Sequence, residues 1–151
     1  MAGLGESWRS DADALRDLGF RHILFLCVAN SARSQMAEGI ARYLAPAGVR
    51  VSSAGSEPSP VRPQAVAVLA EVGIDISGHD SKGVDDVVRP VDAVVTLCAE
   101  EVCPVWLGDA HRVHWGLPDP AAARGRPGAR LDAFREVRDE LRRRLAVVFA
   151  R

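Results

Sequence analysis

The sequence predicts an α/β domain: a parallel sheet with helices on both faces. Three observations predict it. Apolar runs of strand length alternate with stretches of helical periodicity, which is the signature of strand and helix taken in turn. The first such run is apolar at every position, as a strand covered on both sides must be. Two of the runs end in cysteine, at the carboxyl ends of strands, where open α/β sheets hold their ligands.

Taken in order, residues 1 to 21 read as a polar leader, a short helix or disordered, in which Ser10 caps a turn carrying Leu15 and Leu18. Ile23 to Cys27 is the continuous apolar run, and it stops at a polar loop. From Ser34, the residues Met36, Ile40 and Leu44 recur at helical spacing, flanked by Ala37 and Ala41, until Pro46 and Gly48 end the helix. Val49 to Ser53 alternates like a second strand, and Ala65 to Val72 reads as a second helix closed by Gly73. A short helix is expected over Val84 to Val88, a third strand over Val91 to Cys98 and a fourth over Arg112 to Trp115. Leu131, Phe134, Val137, Leu141, Leu145 and Val148 form the stripe of a long last helix. Residues 22 to 151 are therefore taken as one domain, since a chain of 151 residues with 48% hydrophobic content closes one ordinary core.

Composition excludes several classes of function. The formal net charge is -1, from 19 basic and 20 acidic residues, so nothing global recommends nucleic acid or an anionic membrane as partner. No apolar stretch approaches the ~20 residues that span a bilayer. The acidic Glu6, Asp11 and Asp13 stand where a signal peptide carries basic residues, and no export signal is visible. Three cysteines suit free or redox-cycling thiols in a reducing, cytoplasmic setting better than a secreted disulfide framework.

The loop after the first strand carries the clearest chemistry. Cys27-Val28-Ala29-Asn30-Ser31-Ala32-Arg33-Ser34 joins strand to helix, so its amides and the helix N-terminus face one concavity, to which Arg33 adds a planar guanidinium. That is a cradle for a tetrahedral oxyanion, with Val28, Ala29, Asn30, Ser31, Ala32 and Arg33 as its donors. The same dipoles favour the Cys27 thiolate over the thiol, and Ser34 is placed to donate a hydrogen bond to the sulfur. A nucleophile beneath an oxyanion site is what displacement at phosphorus or arsenic requires.

Leu26 to Gly39 as a block resembles the signature of the low-molecular-weight tyrosine phosphatase superfamily, and Asn30 to Gly39 most resembles its arsenate reductase branch. The resemblance continues through Ser53-Ala54-Gly55, Gly73 to Ser77, Val94 to Cys98, Cys103-Pro104, His114-Trp115-Gly116 and Asp119-Pro120. It implies a four-stranded parallel sheet in the order 2-1-3-4. It also implies reduction of arsenate, with phosphate or sulfate as analogues, and no bound cofactor or metal.

In this superfamily the Asp of an Asp-Pro pair protonates the leaving oxygen, which gives that role to Asp119. The arsenate reductase branch further implies a relay of sulfurs. Cys98 attacks the Cys27-arsenic adduct, arsenite leaves with two electrons, and Cys103 then takes over Cys98 as a second disulfide. An external thiol, thioredoxin or a glutaredoxin-like protein, reduces that disulfide. The loop must bend, since five extended residues span ~17 Å while disulfide Cα atoms lie ~5.5 Å apart. It is also shorter than the corresponding loop of the familiar thioredoxin-coupled relatives. A potassium site found in some relatives maps to Asn30, Glu38 and Ser53, but the carboxylate completing it is replaced by Lys82, whose ammonium is expected to supply the missing charge.

Two rival readings remain at this level. A phosphatase would use the same loop, Arg33 and Asp119, but it has no need of Cys98 and Cys103, and Ala121 stands where phosphotyrosine enzymes carry an aromatic. A zinc-binding regulator would read Cys98, Cys103, His111 and His114 as ligands, at a spacing that is not standard and puts the two histidines on opposite strand faces. His79 reads as a hydrogen-bonded loop residue, Trp106 and Trp115 as packing residues, and Arg142 to Arg144 as a solvated face near the negative end of the last helix.

Overall fold

The computed structural model describes residues 2–99 and 102–150. Its elements are α1 (Ala2–Leu18), β1 (His22–Cys27), α2 (Arg33–Leu44), β2 (Arg50–Gly55), α3 (Pro63–Ala70), β3 (Ala93–Thr96), β4 (His111–His114) and α4 (Pro127–Val148), with single 3-10 turns at Val84–Asp86 and Pro120–Ala122. The four strands pair in the order β2-β1-β3-β4, all parallel, as the resemblance implies. Every residue of β1 is buried, the consequence of a central strand roofed on both faces.

Side chains alternate along each strand, so the sheet has two chemically distinct faces. Ile23, Phe25, Ala93, Val95 and Val113 join the large core, to which all four α-helices contribute, among them Met36 and Ile40 of α2 and Phe134 and Leu141 of α4. Leu24, Leu26, Ala54 and Val94 look the other way, into a smaller cluster closed by Val87, Val91 and Trp106. Helical cover thus exists on both faces but unequally. Among the described residues the second face has only the 3-10 turn Val84–Asp86, because the chain from α3 to β3 is too rich in Gly, Pro and Asp to wind further.

The N-terminal expectation needs correction. Rather than a short or disordered leader, residues 2–18 form a 17-residue helix. Trp8, Ala12 and Leu15, spaced for one helical face, are at most 3% exposed and belong to the main core. Leu18, the other apolar residue of the expected turn, is 45% exposed. Ser10 caps nothing: its hydroxyl donates to the Ser7 carbonyl at 3.1 Å within the helix. The guanidinium groups of Arg143 and Arg144 lie 5.2 and 5.5 Å from the Trp8 ring, so part of the basic run on α4 also stacks on α1, Arg143 while remaining 53% exposed.

Candidate active site

The register sets out the site. Leu26 pairs with Ala54 on one side and Thr96 on the other, and Cys27 lies opposite Gly55 where β1 ends. The loop that follows runs over Gly55, and a Cβ there would stand 2.4 Å from the Val28 carbonyl oxygen and 2.8 Å from the Asn30 nitrogen. Only glycine lets the loop approach so closely.

The carbonyls of that loop are all turned outward and paired. Val28 O accepts from Glu57 N at 2.9 Å, Ala29 O from Ser59 N at 2.9 Å and Ser31 O from Arg62 N at 2.8 Å, while Asn30 O accepts from the Ser81 hydroxyl at 2.9 Å. With the carbonyls fixed outward, the amides are left facing the concavity, and among the described residues those of residues 28–32 meet no acceptor. This is the geometry of an anion nest. Asn30 holds the bend with a φ of 49°, in the left-handed region that asparagine tolerates better than most residues.

The Asn30 side chain explains how that strain is held. Nδ2 donates to Ser34 Oγ at 2.8 Å and to Ser53 Oγ at 2.9 Å, while Oδ1 accepts from Gln35 Nε2 at 3.0 Å and from the Lys82 amide at 2.9 Å. All four of its bonding positions are used. Because Ser34 Oγ accepts from Asn30, its own hydrogen is left for the Cys27 sulfur, 2.9 Å away. Cys27 is a buried free thiol, at 2% exposure.

Behind the loop lies Glu38, a carboxylate only 3% exposed. Oε1 accepts from Ser53 Oγ at 2.6 Å and lies 3.5 Å from Lys82 Nζ; Oε2 accepts from Arg42 Nε at 2.9 Å. Two cations therefore offset one buried charge. His79 completes the cluster through a 3.0 Å bond between Nδ1 and Gln35 Oε1, and burial holds its pKa below the usual histidine value despite the nearby Glu38. Lys82, Asn30, Glu38 and Ser53 are thus brought together. Sequence reasoning gave no role to Gln35, which joins His79, Asp80 O and Asn30, nor to Ser81 or Arg42. Their only signal was position, a Gln beside Ser34 and polar residues in the loop after α3.

Arg33, 4% exposed, donates from one terminal nitrogen to Leu117 O at 2.9 Å and to Leu97 O at 3.3 Å. One guanidinium therefore ties the segment before Cys98 and the segment before Asp119 to the anion loop. Asp119 is half-buried, and its Oδ1 accepts from Ala121 N at 3.0 Å, capping the second 3-10 turn. It lines a groove of about 610 Å³ together with Ala99, Leu117 and Val137.

Cys98 and Cys103 are joined as a disulfide with Cα atoms 5.5 Å apart, so the loop bends as its length demands. Cys98 is buried at 1% exposure, and Cys103 is half-buried. Glu100 and Glu101 between them lie outside the described residues. Of the zinc reading's ligands, the two cysteines bind each other and His114 Nδ1 is 2.6 Å from Thr96 Oγ1; among the described residues no group of three or more His, Cys, Asp or Glu is placed to hold a metal. Trp106 and Trp115 are both 2% exposed, in keeping with packing roles.

Comparison with known proteins adds four findings. Residues 22–151 match the family described as low molecular weight phosphotyrosine protein phosphatase. An arsenate reductase of Halalkalibacterium halodurans is 45% identical over 126 residues, which is 82% of this chain and 91% of that protein. Among solved structures, an arsenate reductase in its oxidised state superposes with a TM-score of 0.73 at 35% identity, covering 86% of this chain and 97% of the other. A thioredoxin-dependent arsenate reductase of Corynebacterium glutamicum does so with a TM-score of 0.60 at 30% identity, covering 89% of this chain and 67% of that one.

Proposed function

The chain belongs to the low-molecular-weight phosphotyrosine protein phosphatase family, and from that premise we propose that it is an arsenate reductase working through Cys27, Cys98 and Cys103. The observation that carries this reading is the combination of a buried free thiol under an anion nest with a disulfide at the end of the neighbouring strand. A phosphatase uses the first and has no use for the second.

In the proposed sequence, arsenate settles against the amides of residues 28–32 with Arg33 beside it. The Cys27 thiolate, favoured by those dipoles and by the Ser34 hydroxyl, attacks arsenic. Asp119 gives a proton to the departing oxygen, because an unprotonated oxide leaves poorly. Cys98 then attacks the Cys27 sulfur of the adduct. The sulfur-arsenic bond pair stays on arsenic, arsenite departs, and Cys27 and Cys98 are joined. Attack by Cys103 on Cys98 frees Cys27 and yields the disulfide seen here. A protein dithiol closes the cycle; thioredoxin is the proposed one, by analogy with the Corynebacterium relative, and the cytoplasm is the compartment that supplies it.

The charge cluster behind the loop belongs to the same proposal. Glu38 already faces the ammonium of Lys82 and the guanidinium of Arg42, and both acceptor positions of Asn30 Oδ1 are taken. These residues do not fit a potassium ion, and Lys82 serves in its place.

The test is arsenate-dependent NADPH consumption in the presence of thioredoxin and its reductase. Cys27→Ser, Cys98→Ser and Cys103→Ser each lose turnover if the relay operates. Should Cys98→Ser and Cys103→Ser keep full activity toward p-nitrophenyl phosphate and the wild type show no arsenate turnover, the phosphatase reading replaces it.

A further inference from the structure

Thr96 and His114 are register partners across β3 and β4, and so share a sheet face. Their side chains meet at 2.6 Å, Oγ1 to Nδ1. The Thr96 hydroxyl also approaches the Val113 carbonyl, at 3.5 Å. A hydroxyl has one hydrogen, and with it directed to that carbonyl the oxygen accepts from Nδ1–H. The tautomer so defined, with its lone pair on Nε2, is the one the proposal below assigns to the ring.

Gly116 shows where Nε2 points. A Cβ at Gly116 would stand 3.2 Å from Nε2, 3.1 Å from the Cys98 carbonyl oxygen and 3.5 Å from the Ala99 Cα, so the basic edge of the ring lies beside the relay backbone. Thr96, Arg112 and His114 moreover line one cavity of about 320 Å³ with Cys103. Besides His114 and Cys103 themselves, the charged group on that cavity is Arg112, whose guanidinium donates to Gly108 O; Arg89 lies nearby, stacked 4.1 Å from the Trp106 ring.

We propose that His114 is the proton acceptor for Cys103 in the second disulfide exchange, an inference that rests on the reductase reading. The Cys103 thiol passes its proton to Nε2. The sulfur lone pair forms the bond to Cys98 Sγ, the Cys27–Cys98 bond breaks, and its electron pair leaves on Cys27 as a thiolate received by the anion nest. No electrons are gained or lost overall. The imidazolium, exposed at this site, returns its proton to solvent or to the thiolate released when the external dithiol opens the Cys98–Cys103 bond.

The experiment is a single turnover of the full-length, fully reduced protein with arsenate and no reductant, quenched in acid, alkylated and read by peptide mass. In His114→Gln, arsenite release and formation of the Cys27–Cys98 disulfide proceed as in the wild type. Conversion to Cys98–Cys103 slows by about 30-fold at pH 7, the thiolate fraction of an ordinary thiol, and then rises about tenfold per pH unit toward pH 8.5. Added imidazole restores it. Thr96→Val, which frees the ring but keeps it, slows the same step less and serves where His114→Gln does not fold. Conversion with the wild-type rate and pH profile in both variants overturns the assignment, as does equal slowing of the first step. Cys103→Ser separates the premise from the inference: it releases one equivalent of arsenite if the reductase reading holds, and a missing burst removes that reading and the role of His114 with it.

Discussion

The loop of Cys27 and the loop of Cys103 lie at the ends of neighbouring strands and are built on opposite principles. Around Cys27 the side chains of Asn30, Ser34 and Ser53 are wholly buried, and every Asn30 donor and acceptor has a partner. Around Cys103, Val102, Val105 and Leu107 are 90, 71 and 75% exposed, and the chain has no regular structure from residue 102 to residue 110. The difference follows from what each does. Oxyanion stabilisation depends on dipoles fixed before the charge develops. Disulfide exchange needs a sulfur that leaves one partner for another, and then a surface a reducing protein can reach.

The largest effect expected from this contrast comes from a single methyl group. Gly55→Ala puts carbon 2.4 Å from the Val28 carbonyl oxygen and 2.8 Å from the Asn30 nitrogen. The loop must move by some tenths of an ångström or more, and misplacement of reacting groups on the ångström scale costs about 100-fold. We expect a fall of that size in kcat/KM for arsenate and a matching loss of phosphate affinity by calorimetry. A chain that binds phosphate normally with alanine at residue 55 would show that the anion loop is not rigid, and the contrast would fail.

Next in size is the relay side. Val105→Asp and Leu107→Asp place charge on the exposed apolar rim of the disulfide without touching the anion loop. Loss of apolar contacts of this kind typically weakens a protein interface by roughly tenfold. The expected outcome is a KM for thioredoxin raised by that factor, with phosphate affinity unchanged. An unchanged KM would mean that reduction does not take place through this rim.

This division also explains what could be read in the sequence. The anion loop was legible because its function depends on local backbone shape: a strand, eight residues and a helix carry it, so Cys27, Arg33 and Ser34 stand out together. Cys98 and Cys103 became legible through family resemblance, since nothing local in six residues says which sulfur meets which. The layers of the fold were readable from periodicity, but their unequal depth was not, because a crossover of turns and one 3-10 segment leaves no periodic trace. For α1 the signal existed in Trp8, Ala12 and Leu15. The polar residues between them mask it, Leu18 stands exposed beside it, and the partner that buries this face lies on α4, more than a hundred residues away.

Lys82 gives a smaller, sharper test of how the rigid side is held. Lys82→Ala removes one of the two cations facing Glu38 and leaves Arg42 in place. A loss of roughly 1–3 kcal/mol in unfolding free energy is expected, the usual cost of a buried polar group losing a partner. Potassium, but not sodium, should recover part of it, while the wild type behaves alike in both salts. Strong activation of the wild type by potassium would instead mean that the ammonium does not fill the cation's place.

The smallest effect expected is a pH dependence from His79. Burial lowers its pKa in the folded chain, so the unfolded chain, near the ordinary 6.5, takes up the proton first as the solution is acidified. Above that value both states are neutral and His79 contributes nothing to the slope. As pH falls below it, the unfolded state binds more protons and stability declines, until the folded-state pKa is passed and the difference levels off. His79→Gln keeps a donor for Gln35 Oε1 and removes the titration. Its melting temperature should therefore fall less than that of the wild type between pH 7.5 and 5.5, with phosphate affinity preserved at the higher pH. If the two proteins lose stability in parallel, protonation behind the anion loop is not what acid disturbs, and the rigidity of that side must yield somewhere other than at its histidine.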